Sequence, residues 1–76
     1  MIQINYHQGS KLSLQQQIEI ENTARTMAQI KSLPAIAKMQ WPISGLSVEV
    51  GITEIKILKN KYPVATIRGD WHATNA

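Results

Sequence analysis

The chain has 76 residues, 43% of them hydrophobic, no cysteine and a formal charge of +3. This describes one domain, residues 1–76, apolar enough to fold but small enough that its core is thin. Disulfides and thiolate metal sites are excluded, no apolar run approaches the ~20 residues of a membrane helix, and the charge falls short of a dedicated DNA binder's dense basic surface.

The first segment, "MIQINYH", alternates Ile2, Ile4 and Tyr6 with Gln3, Asn5 and His7, the period of a half-buried strand. It shows no basic stretch followed by an apolar run, so no secretory signal is expected. Together with the lack of cysteine, this leads to an expected cytoplasmic location. Gly9 in "QGS" supplies the left-handed freedom of a tight turn.

Residues 11–21, "KLSLQQQIEIE", read two ways. Glutamine and glutamate favour helix, and Ser13 with Gln16 fits a capping box. Against that, Leu12, Leu14, Ile18 and Ile20 share one parity and the opposite parity is wholly polar. The alternation predicts a strand, paired with the first through Gly9 as an N-terminal hairpin.

From residue 22 the spacing becomes helical. Asn22 or Thr23 serves as a cap, and Ala24, Met27, Ala28 and Ile30 recur on one face. Pro34 breaks the helix near Leu33, and Ser32 caps a short second piece carrying Ala35, Ile36 and Met39. Trp41, before Pro42, is expected to pack on the sheet. Beyond it Leu46, Val48, Val50 and Ile52 share one parity while Ile55 and Ile57 share the other, so a bulge or turn falls near Gly51. "LKNKYP" forms the next turn around Asn60, and a last strand carries Val64 and Ile67. Because Pro63 lacks a donor, that strand is expected to start there or lie on an edge.

The predicted fold class is therefore α+β: a small antiparallel sheet of four to five strands with one helical segment packed on it. The order is N-terminal hairpin, broken helix, C-terminal hairpin. "ILKNKYPVATI" resembles the strand–turn–strand "basic-Asn-Gly-x-Pro-Val-Ala" element of Phd/YefM-type antitoxins, with Lys61 where that element has glycine. The remainder follows a different order, and no residue role is carried over from that family.

Catalytic machinery is not evident. The two histidines, His7 and His72, lie near opposite termini, no serine sits in a G-x-S-x-G elbow, and the four glycines are scattered. His7, Asp70 and His72 would make a metal site only if the termini met, and their spacing is not that of metal ligands. No cofactor is expected.

A binding role remains. In a hairpin over 54–68, Lys59 and Lys61 flank the tip, Lys56 lies on the stem with Arg68 across from it, and Tyr62 sits at the shoulder. Trp71 either caps the core or stands out as an anchor. The expected function is a non-enzymatic inhibitor that docks on a larger protein or ribonucleoprotein and blocks it sterically, the size and simplicity being those of phage and plasmid inhibitors such as anti-CRISPR proteins. Its binding residues would be Lys56, Lys59, Lys61, Tyr62, Arg68 and Trp71. The runner-up is a nucleic-acid-binding regulator using the basic ribbon, with a homodimer formed by strand addition at an exposed sheet edge.

Overall fold

A computed structural model describes residues 2–72. In chain order it contains β1 (Gln3–Tyr6), α1 (Leu14–Ile30), α2 (Leu33–Ala37), β2 (Ser47–Val50), β3 (Ile55–Lys59) and β4 (Tyr62–Arg68). The strands form one antiparallel sheet in the order β1-β4-β3-β2. The fold class is the expected α+β.

One element differs. Residues 14–21 are the first two turns of α1, not a strand, so no N-terminal hairpin exists and β1 pairs with β4 instead. The capping box decides this. Ser13 Oγ accepts from the Gln16 N–H at 3.1 Å, and Gln16 Oε1 accepts from the Ser13 N–H at 3.0 Å, satisfying two amide donors that a helix start otherwise leaves bare. Gln16 Nε2 also donates to the Ser44 carbonyl at 3.0 Å, tying the helix start to the turn before β2. The buried stripe is Ile20, Ala24 and Met27, spaced i, i+4, i+7 as one helical face requires. Leu14 and Ile18, which created the misleading alternation, are exposed.

The break after α1 comes where the sequence placed it. Lys31 adopts left-handed geometry at φ 65°, and Ser32 Oγ accepts from the Ala35 N–H at 3.3 Å to start α2, with Pro34 in its first turn. Gly51 begins a turn between two short strands, its N–H donating to the Glu54 carbonyl at 2.8 Å. Asn60 and Lys61 both take positive φ, 51° and 70°, the two-residue turn whose twist matches a hairpin. The strand that follows is central, not an edge. Pro63 fits because it lies beyond the last β1–β4 pair, Tyr6 with Ala65, and at a bulge opposite Ile57 and Leu58.

Register sorts the sheet into two faces. Ile4, Val48, Val50, Ile55, Ile57, Ala65 and Ile67 share the face that packs with Ile20, Ala24, Met27, Leu33 and Ile36 in one core. Each fully buried large side chain there, such as Ile20, Ile55, Ile57 and Ile67, contributes about 1.5–3 kcal/mol. The bulge brings the sequence neighbours Val64 and Ala65 into that core together. The other face, with Gln3, Asn5, Glu49, Lys56 and Arg68, is open.

Candidate binding surface

The six residues singled out from the sequence divide among three places. Lys59, Lys61 and Tyr62 stand at the tip of the β3–β4 hairpin, Lys56 and Arg68 on the open face, and Trp71 beside the C-terminal end of α1.

On the open face the positive charges have acidic neighbours. Glu49 lies directly across from Lys56, and a Glu54 carboxylate oxygen is 3.6 Å from Arg68 Nε. Paired charges of this kind leave little net field. His7 Nε2 lies 3.0 Å from Thr66 Oγ1 on the same face.

Trp71 is half-buried against the core, and its indole N–H donates to the Met27 carbonyl at 3.0 Å. The following residue is strapped down as well: the His72 N–H donates to the Lys31 carbonyl at 2.7 Å and the Leu33 N–H to the His72 carbonyl at 2.9 Å. Of its two expected roles, Trp71 takes that of a cap. Trp41 is similarly half-buried on the core, donating its indole N–H to the Ile36 carbonyl at 2.9 Å. His7, beside Val64, and His72, beyond Arg68, stand at opposite ends of β4. No group of three metal-ligating side chains forms among the described residues.

The hairpin tip is different. Tyr62 is 75% exposed. Its cross-strand partner is Lys59, whose Nζ donates to the Lys11 carbonyl at 2.9 Å and so reaches the loop before α1. Three residues on from Lys11, Leu14 is 73% exposed in the first turn of the helix. One end of the molecule thus presents two large apolar side chains, Leu14 and Tyr62, among Lys11, Lys59 and Lys61. Such a mixture is what interface cores with basic rims are made of.

Ile18, one turn further along α1, and Tyr6 on β1 are half-exposed as well. Burial, and secondarily the nearby Glu21 carboxylate of α1, raise the Tyr6 pKa above its ordinary 10.0. Lys11 and Leu14 escaped the sequence reading because a strand over 11–21 would have turned Leu14 inward. The Ser13–Gln16 spacing was the available signal.

A second apolar spot lies at the β2–β3 turn, where Ile52 is 84% exposed beside a shallow hollow of about 230 Å³ lined by Leu33, Pro34, Ala37 and Val50. Among the described residues no helix is long and apolar enough to cross a membrane. Compared with family models, curated proteins and solved structures, the chain matches none.

Proposed function

We propose that this chain is a non-enzymatic binding protein that docks through its hairpin end onto a larger protein or ribonucleoprotein and obstructs it sterically. The observation that supports this reading is the exposure of Leu14 and Tyr62 beside Lys11, Lys59 and Lys61. Tyrosine is a frequent hot-spot residue because it carries large area with few rotatable bonds. The surrounding lysines favour an acidic or phosphate-bearing surface on the partner. A basic, cysteine-free α+β domain of this kind fits an inhibitor of phage or plasmid type acting in the cytoplasm.

The runner-up, a nucleic-acid-binding regulator using residues 54–68, has less support. Glu49 and Glu54 offset Lys56 and Arg68, and among the described residues no tyrosine or tryptophan stands on the strands of the open face for bases to stack on.

Affinity capture from a cell lysate, with and without nuclease, tests the choice. The docking reading expects one stoichiometric protein complex that survives nuclease, disappears with Tyr62→Ala and Leu14→Ser combined, and persists with Ile52→Ser. Nucleic acid alone, released at moderate salt and lost with Lys59→Ala and Lys61→Ala, would transfer the assignment to the regulator.

A further inference from the structure

β1 is an outer strand, and among the described residues no strand pairs with its far edge. The His7 N–H donates inward to the Val64 carbonyl at 2.9 Å. Backbone groups of successive residues point to opposite sides of an antiparallel strand, so Gln3 and Asn5 bond to β4 as His7 does. The N–H and C=O of Ile4 and Tyr6 therefore point outward, away from the sheet.

A row of unpaired backbone groups is a template for another strand, and edges are usually protected by lysine, proline, a bulge or a covering segment. β1 reads QINY, with no charge and no proline, and its register with β4 is unbroken. The opposite edge, β2, carries Glu49, and the segment from Met39 to Pro42 shares a hollow with its Val48 and Val50.

We infer that β1 pairs antiparallel with β1 of a second copy, joining the two four-stranded sheets into one across a two-fold axis. This goes beyond the docking reading and does not rest on it. A two-fold axis normal to the sheet keeps every side chain on its own face, so only residues of equal parity can oppose each other. With the axis at Asn5, Ile4 opposes Tyr6 of the second copy, twice, on the face that carries the helices. Their outward N–H and C=O groups supply the hydrogen bonds. Aromatic and β-branched residues make favourable cross-strand pairs, and half-exposed Tyr6 gains cover.

Charge favours a second copy as the occupant. The strand itself is neutral, so two copies meet without repulsion. Glu21 lies on the α1 flank close to Tyr6, and Arg25 follows one turn later with the opposite sign. Two α1 helices running antiparallel across the axis offer each of these side chains its opposite charge.

Analytical ultracentrifugation tests the inference. The wild-type chain is expected to reach twice its mass of 8.5 kDa as concentration rises. Asn5→Lys and Asn5→Asp each place like charges directly opposite at the axis and are expected to weaken self-association about tenfold or more. An equal mixture of the two restores the dimer, a rescue that a folding defect cannot produce. A wild-type chain that stays monomeric at every concentration overturns the inference, as does a dimer that persists in both variants. Should either variant fail to fold, amide exchange of the wild-type chain decides. Slowing at Ile4 and Tyr6 with rising concentration supports the pairing, and exchange independent of concentration overturns it. A monomeric result leaves capture through Leu14 and Tyr62 unaffected.

Discussion

The Nζ of Lys59 donates to the carbonyl oxygen of Lys11 at 2.9 Å, joining residues 48 positions apart in sequence. Through this contact the tip of one hairpin meets the loop that launches the long helix, and Leu14 and Tyr62 come to share one end of the molecule. Lys59→Met keeps the aliphatic stem and removes only the donor. It is expected to lower stability by about 1 kcal/mol or less, as for a solvent-accessible hydrogen bond, while speeding amide exchange in residues 10–12. Unchanged exchange in that loop would show that the contact orders nothing.

The start of α1 carries the first consequence for stability. Ser13→Ala removes the cap and is expected to cost about 1 kcal/mol in chemical denaturation. Ile20→Ala, at a fully buried position, is expected to cost about 2–5 kcal/mol. Ile18→Ala, at a half-exposed one, should cost well under half of that. A strand over residues 11–21 would instead make Ile18 and Ile20 equivalent.

That contrast shows what the residues disclosed and what they concealed. The chain from Ser32 onward was legible, because the cap at Ser32, the parity switch at Gly51 and the left-handed tolerance of Asn60 are local signals acting within a few residues. Residues 11–21 misled, because Leu14 and Ile18 are apolar yet exposed, and period counting assigns every apolar residue to a core. The β1–β4 pairing joins Gln3 to Arg68, too far apart for any turn signal to announce. The candidate surface was legible in part. Lys59, Lys61 and Tyr62 follow from the hairpin alone, whereas the acidic neighbours of Lys56 and Arg68 depend on the register and the turn preceding β3.

Lys61 holds φ 70° at the second position of the hairpin turn, where a side chain is strained and glycine is not. Lys61→Gly is expected to stabilise the chain by about 0.5–1 kcal/mol, read as a higher denaturation midpoint. The same change removes one basic charge from the candidate surface, so a rise in stability with weaker partner binding would separate the two roles of this position. Lower stability would contradict the assigned turn.

Tyr6 offers a pH test. Its pKa lies above 10.0, chiefly through burial and then through Glu21, so the folded state favours the neutral phenol. The unfolded chain ionises first, near pH 10. Stability from this group is thus intact below that pH and falls as the pH rises toward the folded-state pKa. In a Tyr62→Phe background the phenolate absorbance reports Tyr6 alone, and its midpoint is expected above 10.0. Glu21→Gln should bring it part of the way down, burial being the larger cause. A midpoint at or below the ordinary value would place Tyr6 in open solvent.

Affinity for the captured partner, measured by calorimetry with the wild-type chain, with Leu14→Ser and Tyr62→Ala combined, and with Ile52→Ser, tests the docking account most directly. The hairpin-end variant is predicted to bind about tenfold or more weakly, with Ile52→Ser matching the wild type. Full affinity in the hairpin-end variant, or its loss only with Ile52→Ser, would contradict the account and move the interface to the β2–β3 turn.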